Sequence, residues 1–269
     1  MNQIYKPFQP TLTETGLRKL VLSLQYSLPN KRLIGVVHSY LQVSTANPTP
    51  YPVLPDGSQA IFISPQGVIV GGAQTLARDI PMLYPGEYFG IRFYPGVLRH
   101  FFDLNLSEIT EQFVDQKYIP CPLFDNLHNQ IYECPKFHAR AQVCEQWLLR
   151  HFNPVVNTPF DQALTSIYQS FGNIRIDQLA RKVGWSSRHL NRLFRLNTGL
   201  STKTFSQTVR IQHACRQLYL NPESSLKTAG DLGFFDQAHL LNDFKKRLSA
   251  SPSVLFDRFK SDFYNNQAL

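Results

Sequence analysis

The 269-residue sequence predicts an α+β chain of two domains, a β-rich one first and an all-α one second. Three observations predict it. Short apolar runs punctuated by Pro and Gly fill the first hundred residues, as strands and tight turns require. The stretch "NPVVNTP", Asn153 to Pro159, has two prolines and no periodicity. Beyond it, one helical pattern is written twice, about fifty residues apart. The expected division is therefore a β-rich domain over 1–152, a linker over 153–159 and a helical domain over 160–269.

In the first domain "KLVLSLQYSL" and "RLIGVVHSYLQVST" are rich in branched and aromatic residues, and "QAIFIS", "GVIVGG" and "EYFGIRFYP" are shorter apolar runs. Turn signals separate them at Pro48-Thr49-Pro50, Pro55-Asp56-Gly57 and Pro65-Gln66-Gly67. Such spacing predicts a barrel- or cupin-like fold, with a sandwich as the other arrangement. From Pro95 the pattern turns helical. "LSEITEQFVD" has a capping-box spacing, Ser107 followed by Thr110 and Glu111. "PKFHARAQVCEQWLLRHF" places Phe137, Ala141, Cys144 and Leu148 on one stripe, either core or the seam of a homodimer, with Trp147 and Phe152 near its end. After residue 160 everything reads as helix, interrupted at Gly172, Gly184, Gly199, Asn221-Pro222 and Gly233.

Composition narrows the function classes. An apolar fraction of 43% is enough for real cores. No run of eighteen apolar residues exists, and "MNQIYKPFQP" lacks a basic region followed by an apolar one, so neither membrane span nor secretory signal is expected. Cys121, Cys134, Cys144 and Cys215 are scattered without zinc-site spacing, which points to a reducing cytoplasm and to no structural metal. His38, His100 and His138 make no metal-binding pair either. Residues 1–159 hold 12 Lys and Arg against 11 Asp and Glu; residues 160–269 hold 15 against 8. A basic second half suits a polyanion, though charge alone fits a solvated basic surface equally well.

The repeat carries the stronger argument. "IDQLARKVGW" aligns with "SLKTAGDLGF" at an offset of 49, pairing Ala180 with Ala229, Gly184 with Gly233 and Trp185 with Phe234. The second copy then gains one residue, and the offset becomes 50: Ser186 with Asp236, His189 with His239, Leu190 with Leu240, Phe194 with Phe244, Arg195 with Lys245. Each copy reads as a short helix, a glycine turn, a capping residue and a second helix, the arrangement of a helix-turn-helix. Leu190, Leu193 and Phe194 face inward in the first copy, Leu240 and Phe244 in the second.

In such a unit the second helix pushes its outer face into the DNA major groove. The first copy offers Ser186, Arg188, His189, Asn191, Arg192 and Arg195. Arg188 and Arg192 lie four apart on one side and suit guanine edges or phosphates, and Asn191 suits adenine. The second copy offers Gln237, Ala238, His239, Leu241 and Asn242, where Ala238 and Leu241 suit a thymine methyl. Arg195, Lys245, Lys246 and Arg247 suit phosphates or plain solvation. His189 and His239 either touch bases or only brace the turn. Between the copies, "STKTFSQTVRIQHACRQLYLNP" predicts a helix from about Lys203 to Leu220, roughly 27 Å long. That is near the ~34 Å of one DNA turn, so the two reading helices can reach successive grooves.

Residues 174–256 resemble the DNA-binding domain of the AraC/XylS family of bacterial transcription regulators, on "LARKVGWSSRHLNRLFRLNTG", "RIQHACRQL", "LGFFDQAHLLNDFKK" and "SPSVLF". The first half is similar to a subgroup carrying LPDG, GG…T and G-x-RF-x-PG elements, here "VLPDGSQAIFI", "VGGAQT" and "GIRFYPG". The resemblance implies double-stranded DNA and RNA polymerase as partners, activation of transcription, and a small-molecule effector bound by the N-terminal domain. An N-terminal domain serving only protein interaction or dimerisation is the alternative. There are departures. Where the family has Gly-x-x-Pro after each reading helix, this chain has Gly199 with Thr202, and Ser249 with Pro252. Thr228 replaces an apolar residue. Asn242 and Asp243 stand where arginine is common, and Asp243 would repel a phosphate. The second copy is thus expected to bind more weakly.

No cofactor and no catalysis are expected. The one cysteine in an exposed context, Cys121 in "PCPLF", has only Lys117 four residues back to lower its pKa, and no second ligand. Neither a phosphate-binding loop nor a Ser-His-Asp pattern can be found. Pro55-Asp56-Gly57 reads as a turn rather than a catalytic aspartate.

Overall fold

The alternating apolar residues of the first half pair into an antiparallel sheet of six strands, ordered β1-β2-β7-β4-β5-β8. These are β1 (Ser23–Ser27), β2 (Val37–Thr45), β4 (Gln59–Ser64), β5 (Gly67–Gly71), β7 (Gly86–Phe93) and β8 (Phe113–Asp115). The short β3 (Tyr51–Val53) and β6 (Arg78–Ile80) pair separately. The structure is a computed structural model and describes residues 5–18, 20–80, 84–119, 124–154, 158–221 and 229–255.

Period-two alternation gives the six-stranded sheet two buried faces. Tyr40, Ile61, Ile63, Phe89, Ile91 and Phe93 pack against α2 (Phe124–Glu133) and α3 (Phe137–His151). Leu41 and Val43 point the other way, onto Leu17, Leu22 and Ile80. The stripe Phe137, Ala141, Cys144, Leu148 belongs to the first of these cores, together with Trp147. It is therefore intramolecular rather than a seam between copies.

Two segments depart from the expected pattern. Only Ser23–Ser27 of "KLVLSLQYSL" is strand, and the preceding chain forms α1 (Glu14–Arg18), started by the Thr13 hydroxyl accepting the Gly16 N–H. "LSEITEQFVD" is no helix. It makes one 3₁₀ turn, Leu106–Glu108, capped by Asn105 rather than Ser107, and then enters β8. Tertiary bonds outweigh the local signal here: the Thr110 hydroxyl bonds to the carbonyls of Leu106 and Gly199, and β8 pairs with β5.

The second half is helical: α4 (Pro159–Gln169), α5 (Ile176–Lys182), α6 (Ser187–Thr198), α7 (Thr202–Leu220) and α8 (Gln237–Leu248). Thr158 and Asp161 close a capping box on α4, with Pro159 in the first turn where its missing N–H costs nothing. The linking helix α7 is buried on more than one side. Ten of its residues are buried, because Phe205 and Val209 serve the core around α4 to α6, and Ile211, Ala214, Cys215 and Leu218 the core around α8. No described helix is long and apolar enough to cross a membrane.

The β-rich half is packed directly on these helices. The ring of Tyr5 stacks on Tyr168 of α4 at 4.7 Å, and Phe8 lies in the α8 core beside Tyr219. Gln212 of α7 accepts from the Phe8 N–H and donates to the Pro55 carbonyl. The turn at Pro55-Asp56-Gly57 is held by a buried ion pair, Arg92 to Asp56 at 2.5 Å. Asp56 also accepts from the Gln9 side chain and the Ser58 N–H. The LPDG and G-x-RF-x-PG elements are thus two sides of one contact. In "VGGAQT", Gly72 is required by close approach, since a Cβ there would lie 1.9 Å from the Ile109 carbonyl oxygen.

Two outcomes follow from the burial of these charges. Asp56→Ala leaves the Arg92 guanidinium buried and unpaired, and is expected to lower unfolding stability by about 3 kcal/mol in urea titration. Burial, with Arg92 nearby, pushes the His38 pKa down to about 4, and burial with Arg99 does the same to His100. A histidine whose folded pKa lies below its unfolded value near 6.5 stabilises fully above that pH and less as pH falls toward 4. Thermal stability should therefore drop between pH 6.5 and 4, and His38→Gln should flatten that slope.

Candidate nucleic-acid interface

The two copies of the repeat fold into turns with the same hydrogen bonds. In the first, the Trp185 N–H donates to the Ala180 carbonyl and the Gly184 N–H to Arg181; in the second, Phe234 donates to Ala229 and Gly233 to Gly230. Gly184 and Gly233 take φ of 72° and 78°, a conformation that favours glycine. Ser186 caps α6 by accepting the His189 N–H, and Asp236 caps α8 by accepting the His239 N–H. Leu190, Phe194, Leu240 and Phe244 are fully buried, and Leu193 is partly buried against the first core. Each reading helix ends on a left-handed residue, Gly199 (φ 81°) and Ser249 (φ 55°), and at Ser249 that conformation costs about 1 kcal/mol relative to glycine. Thr228 and Phe256 lie outside the described residues, as does Cys121.

On α6 the structure leaves Ser186, Arg188, Arg192 and Arg195 exposed, with no acidic residue in the first turn. Arg192 approaches His189 Nδ1 at 3.5 Å, so these side chains share one face. On α8, Gln237, Ala238, Asn242, Lys245 and Lys246 are exposed. Together these residues form a donor-rich, cationic surface along two helices.

At three positions, Asn191, Asp243 and Arg247, the structure differs from the expectation, and at the two histidines it shows contacts within their turns. Asn191 is half-buried, and its side-chain oxygen accepts the Thr202 N–H at 3.1 Å. That oxygen is the acceptor an adenine amino group would need, and here it is engaged by the first turn of α7, beside the Ser201 cap. His239 accepts the Phe235 N–H on Nδ1 and sets its ring edge-on to Phe234, while His189 sits edge-on to Trp185. Both histidines therefore contact their own turns. Asp243 does not face outward: it is buried and paired with Arg210 at 3.3 Å, and Arg247 lies 3.9 Å away. Arg247 is buried too and donates to Gln207, which removes it from the phosphate-facing set.

Sequence reading passed over a second feature. Where the sheet meets α4, a cavity of about 420 Å³ opens between Val36, Val97, Arg99, Asp161, Leu164 and Tyr168. Arg99 and Asp161 pair across it, and the Arg99 guanidinium lies 4.8 Å from the Phe160 ring centre. The Tyr168 hydroxyl is buried without a hydrogen-bond partner among the described residues, and burial keeps it protonated. A seam between distant segments leaves no local sequence signal.

Comparison with known proteins agrees with this geometry. Residues 179–258 match a helix-turn-helix domain family, and residues 25–115 match a domain of unknown function (DUF6597). The chain is 39% identical over 77 residues to the HTH-type transcriptional regulator GlxA of Rhizobium meliloti, covering 29% of this chain and 24% of that protein. It is 28% identical over 131 residues to the Msm operon regulatory protein of Streptococcus mutans, covering 47% and 45%. These matches span less than half of either relative. It is also 31% identical over 99 residues to the probable transcription factor PqrA of Proteus vulgaris, covering 37% of this chain and 80% of that protein. Crystal structures of ToxT from Vibrio cholerae overlap 88% of this chain and 98% of theirs, at 10% identity and a TM-score of 0.42. With both repeat turns built alike and 80% of one such factor covered, the chain belongs to the AraC family of transcription regulators.

Proposed function

We propose that the protein binds duplex DNA sequence-specifically through two reading helices, α6 and α8, and so regulates transcription. The observation that carries this reading is the duplicated turn, which presents two capped helices with exposed donors and no neutralising acid on the first. The 19 residues of α7 connect them over roughly 28 Å, a span suited to successive grooves on one DNA face. Arg188 and Arg192 read bases, Ser186 and Gln237 contact the groove edge, and Arg195, Lys245 and Lys246 contact phosphates. Residues 1–152 form the sensing part, joined through 153–159 to the reader at 160–269. The LPDG and G-x-RF-x-PG elements support membership of the subgroup that carries them. RNA polymerase as a partner, a homodimer and activation rest on family likeness alone.

Control by an effector fits the seam cavity. A molecule with an apolar body against Val36, Val97 and Leu164 and polar groups toward Arg99, Asp161 and Gln162 would fit this lining. It would touch both the sheet and α4, so its affinity would depend on how the reader is held. A ligand with unequal affinity for two arrangements shifts their populations, and with them the affinity for DNA.

Selection from random duplex DNA by the full chain is expected to enrich two blocks about one helical turn apart. No enrichment would sink the proposal. Arg192→Ala should relax one base position of one block at a cost of about 1–3 kcal/mol, whereas Asn191→Ala should lower the melting temperature and leave base preference intact. Replacing Lys245 and Lys246 by Gln should weaken binding to all sequences alike and flatten the dependence of log Kd on log salt by about two, which titration at several salt concentrations would measure.

A further inference from the structure

The two turns share their hydrogen bonds but differ by one residue, and that residue is Phe235. Phe234 takes the place of Trp185: its N–H makes the equivalent bond, its ring meets the equivalent histidine, and it is 3% exposed. Asp236 takes the place of Ser186 as cap. Phe235 stands between them with no counterpart, and it is 91% exposed. An apolar residue just before a helix cap ordinarily packs on the fourth helical residue. Here that residue is Leu240, fully buried in the core, and a ring so exposed does not cover it. The backbone of Phe235 serves the turn, through its N–H bond to His239 Nδ1 at 3.2 Å. Among the described residues the ring packs into no core.

Its position explains what the ring is for. It projects at the entrance of the second reading helix, where helix-turn-helix proteins meet base edges. At the positions of Arg188 and Arg192 this helix carries Ala238 and Asn242, so its outer face lacks the cations that favour guanine. The apolar feature of the major groove is the thymine 5-methyl group. We infer that Phe235 is a specificity-determining residue of the second unit, its ring packing on the 5-methyl of a thymine at the edge of the second DNA block. This rests on the DNA reading proposed above.

The test is a cycle with full-length protein. The selected site is prepared with each thymine of the second block replaced singly by deoxyuridine, which deletes only the methyl. Affinities are measured for the native chain, Phe235→Ala and, as a control in the other unit, Arg192→Ala. The expected result is one position where deoxyuridine weakens the native protein by about fourfold, the factor that burying one methyl supplies. At that position Phe235→Ala should be indifferent to the methyl, while Arg192→Ala keeps the full effect. The exposure of Phe235 predicts an unchanged melting temperature, so a change in binding will not reflect unfolding. Methyl effects that persist in Phe235→Ala overturn the inference and leave DNA reading standing. So does uniform weakening on every sequence, or a change in oligomeric state with base preference unaltered, which would assign the ring to the DNA backbone or to a second copy. If the native chain selects no sequence, both readings fall together.

Discussion

The structure depends on a single helix that belongs to two cores at once. Phe205 and Val209 of α7 complete the core of the first helix-turn-helix, and Ile211, Ala214, Cys215 and Leu218 that of the second. Ten buried residues on a 19-residue helix leave little surface free to rotate, so α7 cannot turn to improve one core without spoiling the other. Close packing makes such a helix a ruler rather than a tether. The burial of Phe205 alone contributes roughly 2–3 kcal/mol, and its ring is also the wall against which the Pro55-Asp56-Gly57 turn rests.

That second contact gives the β-rich half its hold on the reader. Arg92 and Asp56 are both buried, an arrangement that costs desolvation and gains little net stability compared with apolar residues. What the pair does achieve is geometry. It fixes the turn whose Pro55 carbonyl accepts from Gln212 and whose Gly57 touches Phe205. The Pro95-Gly96 turn does the same against Phe160 and Leu164 of α4. The sequence elements that mark the first half are therefore the ones that face the second. A change of shape in the sheet would reach α4 and α7 through rigid turns.

The repeat was legible because its constraints are local. Two glycines at positive φ, two alanines at helix crossings and two caps can each be read from residue type and spacing. The β-rich class and the helical class were legible for the same reason, since period-two and period-3.6 patterns are properties of short windows. The errors arose where distant residues decide. Asp243 looked like a repulsive surface charge, and only the fold brings Arg210 beside it, 33 residues away. Asn191 has the residue type of a base reader, and only the fold brings the Thr202 N–H to its oxygen. "LSEITEQFVD" carried a helical cap signal, but a strand partner and a carbonyl on Gly199 were available to it. The seam cavity has no sequence signature, because its walls come from segments that meet only in the folded chain.

The two reading helices divide their chemistry in a way the corrected geometry sharpens. With Asp243 and Arg247 withdrawn into the core, α8 keeps Lys245 and Lys246 near its C-terminal end and neutral or apolar groups at its N-terminal end. On α6, Arg188, Arg192 and Arg195 run the length of the exposed face. A helix enters the groove N-terminus first, so on the proposed reading α6 would meet base edges with cations and α8 with amide and apolar groups. Cations near bases favour guanine and strengthen with low salt, whereas apolar contacts favour thymine and respond little to salt. The weaker charge of the second copy is thus a difference in kind of recognition, and a single mutated family position such as Asn242 does not by itself make that copy silent. On the proposed reading both helices discriminate, each by a different chemistry, and the helix between them holds the two in register.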